Sequence, residues 1–364
     1  MLKKEYINLL NLTLLNMNNV FSYSGKKKTL NGNNSKEQKL MNDNKDNKDK
    51  DKNDKDNKDR KYNDMKDNKD IVRNKKKHGS GIRSYNQEVF QDIKKQCNED
   101  DFLKRIIANS IKSQRFYKEI DKLPTDVKDY KIKNNNKNNI EFQKQKIIES
   151  ALYYLNSDKG SKIAILNFAD WTQKGGCIDS GESTQEESIC RCTTLYQNLI
   201  ADNVKEYYDS HRKLCGGENV FNEIRGRANN DLIYSANVQI IKDDVESWNV
   251  KDLQKDISRL ISVITCAAPW NNIGKNFSNK EIFEIHYLKA KRILDVAINN
   301  GVDIIILGAY GCGAFNNDPN DVASAYKKVL VEEGYQKYFK KVVFAIPVLK
   351  SSTNYNAFLK VFAS

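Results

Sequence analysis

Residues Lys162 to Cys192 read KIAILNFADWTQKGGCIDSGESTQEESICRC; an apolar run, a glycine-containing loop and a helix start follow one another there, and that succession decides the fold. Ile163, Ala164, Ile165, Leu166 and Phe168 make Lys162 to Ala169 nearly continuous in apolar side chains. This is the pattern of a strand covered on both faces, and therefore of an α/β domain. Gly175, Gly176 and Gly181 follow, and glycine lets backbone amides turn outward and approach a ligand closely. Ser183 with Glu186 and Thr184 with Glu187 each have the capping-box spacing, Ser or Thr followed three residues later by Glu. Ile189, Cys192, Leu195, Tyr196, Leu199 and Ile200 then recur at helical spacing and give the helix a buried face. Gln185, Glu186 and Glu187 thus belong to its first turn, at the mouth of the loop. Acidic residues there complement the helix dipole by about 0.3 to 1 kcal/mol, so the paired glutamates have a structural reading beside a catalytic one.

A second strand, loop and helix start lies at Val302 to Tyr326, VDIIILGAYGCGAFNNDPNDVASAY. Asp303 to Leu307 reads as a buried strand, and Gly308, Gly311 and Gly313 open a loop. Asp318 caps the next helix, with Pro319 at its first position. Such an arrangement is a ready site for a phosphate anion. It is neither a Walker loop nor the dinucleotide GxGxxG pattern. Between the two stretches, Leu232 to Ile241 and Leu260 to Ala267 read as strands, with Pro269 ending the latter at the rim of the sheet. Trp270 beside it is expected to pack there rather than to flank a ligand. His211 to Asn230, with Gly216, Gly217 and Gly226, reads as an exposed loop. Ser278 to Asn300 reads as a helix, started by a Ser278/Glu281 capping box and stopped by Gly301. His286 within it is expected to be a surface or packing residue. Lys341 to Leu349 reads as the last strand. Three β-α units with intervening strands imply a mixed sheet with helices on both faces.

Two separated motifs in one order carry a resemblance. Asn167-Phe168-Ala169, Gly175-Gly176-Cys177, a spacer of seven residues and Gln185-Glu186-Glu187-Ser188 resemble the signature of the bacterial-type poly(ADP-ribose) glycohydrolases. Gly308 to Phe315 with Asn317-Asp318-Pro319 resembles the same family's second loop. Cys177 stands where the family has its third glycine, and Trp270 where it has Asn after Ala268-Pro269. The resemblance covers roughly residues 100 to 364 and implies a macrodomain-like three-layer α/β/α fold. It also implies Glu187 as the catalytic acid and Glu186 as a ligand of ribose hydroxyls. Gly175, Gly176, Cys177, Gln185, Gly311, Cys312, Gly313, Ala314 and Phe315 would contact substrate, the second loop wrapping the diphosphate and Phe315 packing on a ribose. The expected activity is hydrolysis of O-glycosyl bonds of poly(ADP-ribose), or action on ADP-ribosylated proteins, by a monomer with no cofactor and no metal.

Composition sets the limits. From Met41 to Asp70 there are ten Lys or Arg and ten Asp, with Asn filling most of the rest. Such a segment cannot bury enough surface to offset the entropy of ordering. Residues 1–84 are therefore expected to be a largely disordered Lys/Asn/Asp-rich region, with disorder from Ser24 to about Ser84. Residues 85–160 are expected to form a helical extension packed on the catalytic domain, and 161–364 that domain. Of the net charge of +13, residues 101–364 carry only +5, so a nucleic-acid partner is expected only through the basic N-terminal region, where Arg73 and Lys75 to Lys77 cluster. Met1 to Phe21 reads as a targeting peptide or an amphipathic helix, leaving organelle import open. Seven cysteines without a CxxC pair argue for a reducing compartment, cytoplasmic or nuclear. No run approaches a membrane span, so no membrane partner is expected. Three functions follow: a glycohydrolase, a non-catalytic ADP-ribose-binding module, and an anion- or nucleic-acid-binding protein acting through its basic tail.

Overall fold

The alternation of side chains along a pleated strand sends neighbouring residues to opposite faces, and here both faces are apolar. A computed structural model describes residues 81–123, 126–135, 138–214, 229–244, 249–271, 278–348 and 352–364. Its elements in chain order are α1 (81–99), α2 (Asp101–Ser113), β1 (Arg115–Tyr117), β2 (Ile140–Gln143), α3 (Ile147–Ser157), β3 (Ile163–Ala169), α4 (Gln185–Cys192), α5 (Leu195–Leu199), α6 (Lys205–Leu214), β4 (Leu232–Gln239), β5 (Leu260–Ala267), α7 (Asn279–Asn299), β6 (Ile304–Leu307), α8 (Pro319–Lys327), β7 (Lys341–Ala345) and α9 (Thr353–Ala363).

The strands form one mixed sheet in the order β1-β4-β5-β3-β6-β7-β2. β1, β4 and β5 pair antiparallel, whereas β5, β3, β6, β7 and β2 run parallel. Ala164, Leu166, Ile264, Cys266, Ile305, Leu307, Val342 and Phe344 point to one core, shared with α7, α8 and α9 through residues such as Ile293, Leu294, Val322, Tyr326 and Phe358. Ile163, Ile165, Ile261, Val263, Ile304, Ile306 and Val343 point to the other, shared with α1, α3, α4, α5 and α6 through Phe90, Ile148, Tyr154, Ile189, Leu195 and Tyr208. At about 25 cal/mol per Å² of apolar surface removed from water, these two cores are what hold the layers together. The architecture is thus the expected three-layer α/β/α with a mixed sheet.

Four readings change. Residues 85–160 are not only helical, because they supply β1 and β2, the two edge strands of the sheet. Strands of three and four residues are too short for alternation to show in the sequence. Residues 81–84, assigned to the disordered region, open α1, whose buried positions Asn86, Phe90, Ile93 and Cys97 have helical spacing. The remaining expectations for the N-terminal region lie outside the described residues. His211 is not in a loop: it lies in the last turn of α6, fully buried, with its ring 4.2 Å from that of Tyr207 one turn earlier. Gly216, Gly217 and Gly226 lie outside the described residues. The last strand stops at Ala345.

Helix ends follow their local chemistry. The Ser278/Glu281 capping box is formed, and Asp318 accepts the Asn320 amide at 2.7 Å to start α8. At the far end of α7, Lys133 from the polar run reaches the Gly301 and Val302 carbonyls at 3.0 and 2.8 Å, where the helix dipole favours a cation. His286 on α7 is a packing residue, 1% exposed, with its ring 5.7 Å from that of Tyr310. Burial lowers its pKa to about 3, with Lys289 adding to the effect, and lowers that of His211 to about 4.

These shifts make acid destabilising. Below pH 6.5 the unfolded chain takes up the histidine protons and the native state does not, so this stability is present above 6.5 and is lost as the pH falls towards the native values. Each histidine costs about 1.4 kcal/mol per pH unit across that window. Urea titrations of wild type and His286→Gln at pH 7.5, 6 and 5 should show a shallower loss in the variant; parallel curves would refute the assignment.

Candidate active site

β3, β5 and β6 run parallel, so the loops leaving their C-terminal ends meet at one rim. The chain leaves β3 towards α4 on one face of the sheet and leaves β6 towards α8 on the other. Adjacent parallel strands whose connections diverge in this way open a crevice between them, the usual ligand position in an open α/β sheet. Phe315 bridges its two sides, packing against Ala169, Trp171 and Ala267.

On the β3 side, Thr184 is the N-cap of α4, as the spacing predicts, but neither capping box forms. The glutamates turn instead to the loop and the strand. Glu187 Oε1 accepts the Cys177 amide at 2.8 Å, and its Oε2 accepts the Thr184 hydroxyl. Glu186 Oε1 accepts from Asn167 Nδ2 at 3.1 Å, and its Oε2 accepts the Asp170 amide at 2.7 Å. Both carboxylates are buried, 2% and 4% exposed. Burial pushes the Glu186 pKa well above the carboxylate range; the Asp170 and Glu187 charges add to the rise, and the hydrogen bonds from Asp170 and Asn167 oppose it. The neutral form of Glu186 is thereby favoured.

Gly176 lies between the glutamates. Its φ is +62°, and a Cβ there would come within 2.4 Å of Glu187 Oε1 and 3.2 Å of Glu186 Oε2, so glycine is required on both counts. Cys177 differs. Its φ of −92° suits any L-residue, so a side chain in place of the third glycine brings no backbone strain. Its thiol is exposed, and burial of part of the residue together with the Glu187 charge raises its pKa. Gln185 departs from expectation. Its Nε2 donates to the Leu166 carbonyl at 2.7 Å and its Oε1 accepts the Phe168 amide at 2.8 Å. This continues the ladder of β3 beyond Ile165, the last residue that β6 pairs, so the carboxamide secures α4 to the sheet.

On the β6 side, the turn from Gly308 to Asn317 is closed by Cys312 N–H to Ala309 and Asn316 N–H to Gly313. The amides of Gly311, Gly313 and Phe315 meet no acceptor among the described residues. Open space lies beside the Gly313 Cα. Asn317 Nδ2 donates to the Pro269 and Gly311 carbonyls at 2.8 and 2.9 Å, tying the end of β5 to this loop. Trp270 stacks on Phe315 with centroids 6.1 Å apart. Cys312 is half-buried, and burial raises its thiol pKa.

Residues 85–243 match the family model for the catalytic domain of microbial-type PARG, the poly(ADP-ribose) glycohydrolases. Over that stretch the chain is similar to that family. Comparison with curated proteins finds no match. Among solved structures, the poly(ADP-ribose) glycohydrolase of Thermomonospora curvata is similar with a TM-score of 0.65 and 23% identity, over 76% of this chain and 99% of that one. The same enzyme bound to the inhibitor ADP-HPD gives 0.63 and 24%, over 76% and 98%. The glycohydrolase of Deinococcus radiodurans in complex with ADP-ribose gives 0.57 and 25%, over 70% and 96%.

The structure sets the residues singled out in the sequence on two sides of the crevice, with Gly175, Gly176, Cys177, Glu186 and Glu187 on one and Gly311 to Phe315 on the other. Three further residues complete the site. Asn167 is a single amide inside an apolar strand, and that contrast is its sequence signal. Asp170 accepts the Thr172 and Gln173 amides, each at 2.7 Å, and so turns its own N–H to Glu186. Trp171 is held by Nε1 donating to the Ala268 carbonyl at 2.7 Å, by the His211 ring at 4.7 Å and by the Lys289 ammonium at 5.0 Å. No sequence pattern announced that clamp, since its parts come from three distant elements. No cluster of three or more potential metal ligands occurs among the described residues.

Because its native pKa is raised, Glu186 contributes stability that is present below about pH 4.5 and is lost as the pH rises through the native value. Glu186→Gln removes that dependence. Its melting temperature relative to wild type should rise by about 2 to 4 °C per kcal/mol recovered between pH 5 and pH 8, measured by thermal melts. A difference that does not change with pH would contradict the buried neutral carboxyl.

Proposed function

We propose that the protein hydrolyses the ribose–ribose O-glycosidic bonds of poly(ADP-ribose) and releases ADP-ribose. The observation that carries this reading is the pair of buried carboxylates around Gly176, facing an amide-lined loop across one crevice, in a chain similar to the glycohydrolase family. Ligands named in the related structures, ADP-ribose and ADP-HPD, support a nucleoside-diphosphate sugar as occupant.

Glu187 is the proton carrier. Glycosidases with two carboxyl groups set them on opposite sides of the bond, about 5 to 9.5 Å apart. Glu186 and Glu187 are helix neighbours splayed by about 100°, so they take different tasks on one side. Glu187 protonates the leaving ribose oxygen as the C1–O bond breaks, leaving an oxocarbenium-like ribose. The resulting carboxylate takes a proton from water as the water oxygen bonds to C1, which regenerates the acid. The Cys177 amide and the Thr184 hydroxyl hold its two oxygens in place. Glu186, with the neutral form favoured, offers its own O–H to a ribose hydroxyl. The diphosphate lies on the amides of Gly311, Gly313 and Phe315 ahead of α8, where the helix dipole favours an anion, and the Phe315 ring sets the sugar against the Trp171 wall. Gly175 and Gly176 let the ribose approach the carboxylates.

The site is built from one chain, which supports a monomer acting on the polymer or on ADP-ribosylated proteins. The described cysteines are all free thiols, in keeping with a reducing intracellular compartment. Among the described residues no helix is long and apolar enough to cross a membrane.

Glu187→Gln should lower release of free ADP-ribose from poly(ADP-ribose) by about 10²- to 10⁴-fold while ADP-ribose binding, followed by calorimetry, persists. A variant as active as wild type would remove Glu187 from the mechanism, and wild-type binding without release would make the protein an ADP-ribose reader.

A further inference from the structure

The two groups that hold Glu187 stand at the two ends of one loop. Cys177 opens it and Thr184 closes it, so the carboxylate is only as well placed as the residues between them. Within the loop, hydrogen bonds from Ser180 to Cys177 at 3.1 Å and from Gly181 to Ile178 at 3.0 Å form a single tight turn. Its outer side rests on α1. Asn86, 3% exposed, donates from Nδ2 to the Gly181 carbonyl at 2.8 Å and to Ser183 Oγ at 2.9 Å. Gln87 donates to the Asp179 carbonyl at 2.7 Å, and Arg83 pairs with Glu182 at 2.5 Å. The helix sits so close that a Cβ on Gly181 would fall 2.2 Å from the Arg83 carbonyl oxygen. Phe90 anchors the helix below, its ring edge-on to that of Tyr196 at 4.9 Å.

We propose that α1 is a strap that sets the catalytic carboxylate, and that Asn86 is its positioning residue. Asn86 touches neither Glu187 nor the crevice. It acts through Gly181 and Ser183, fixing where the Cys177 amide and the Thr184 hydroxyl stand. The surface contacts of Arg83 and Gln87 are exposed and exchange readily with water, whereas the Asn86 amide is buried and has no solvent to replace its partners. The strap does not reach the β6 loop, so it governs turnover rather than capture of the diphosphate. This inference rests on the reading of Glu187 as the proton carrier.

The test uses the full chain with Asn86→Leu, which keeps the branched shape and removes the donors, and with Ser183→Ala, a mild change at an exposed position. Asn86→Leu should lower kcat by about 10- to 100-fold, the usual cost of a misplaced catalytic group. The Kd for ADP-ribose should change by less than about threefold. Ser183→Ala should lower kcat by a smaller factor, and the double variant should be no worse than Asn86→Leu alone, since both act through one contact. Amide hydrogen exchange gives a readout independent of activity: residues 177–183 should exchange faster in Asn86→Leu, or in Ser183→Ala if the former does not fold, while residues 311–315 are unchanged. Unaltered exchange in the loop overturns the strap whether or not the enzyme turns over. So does an unaltered kcat in an active enzyme, or a fall in kcat matched by an equal loss of ADP-ribose binding. A wild type that binds without turnover overturns the glycohydrolase reading and leaves exchange to decide the strap.

Discussion

Two adjacent carboxylates buried at the start of a helix are a costly arrangement, and the rest of this rim is built to supply what they need. A charge taken out of water must find donors or give up its charge. Glu187 has a backbone amide and a hydroxyl on its two oxygens. Glu186 is driven towards the neutral form by burial and by the acidic groups beside it. The local solutions that a helix normally offers such residues, the capping boxes, are given up so that the carboxylates can face the loop. The start of α4 is secured by Gln185, whose carboxamide borrows a carbonyl and an amide from β3. The helix is thus fixed by a strand rather than by its own cap.

Much of this was legible before any fold was seen. Strands β3, β5 and β6 are long enough or apolar enough to stand out, and the helix boundaries at Ser278 and Asp318 follow from side chains that bond free amides. The edge strands were not legible, because a three-residue strand has no periodicity to read and its identity comes from a partner more than a hundred residues away, as Arg115 opposite Tyr234 shows. His211 was misplaced for a related reason. One imidazole in a polar stretch carries no sign of burial, and only packing against Trp171 and Tyr207 shows that it lies inside. Of the candidate site, the paired glutamates and the glycine loops stood out through their pattern, whereas the residues that hold them did not. Asn86 is about a hundred residues from the glutamates it serves, and Gln185, counted as a ligand residue, serves the scaffold. The third-glycine position shows the converse. A pattern asked for glycine, but the backbone at Cys177 does not.

The crevice divides chemistry from capture. The carboxylates belong to the β3 loop and α4, packed on one core, and the amide-lined turn belongs to the β6 loop and α8, packed on the other. The two are joined at few points: Phe315 against Ala169, Trp171 and Ala267, and Asn317 on Pro269. A ligand with a diphosphate at one end and a glycosidic bond at the other spans both. Binding energy gained on the α8 side can then be spent on placing the bond against Glu187, which is how remote contacts contribute to turnover rather than to affinity alone. The same division means that damage to the β3 side need not weaken capture. The contacts that hold Glu187, down to an asparagine on the far side of its loop, belong to the β3 side alone, so they bear on the placement of that carboxylate without touching the α8 side.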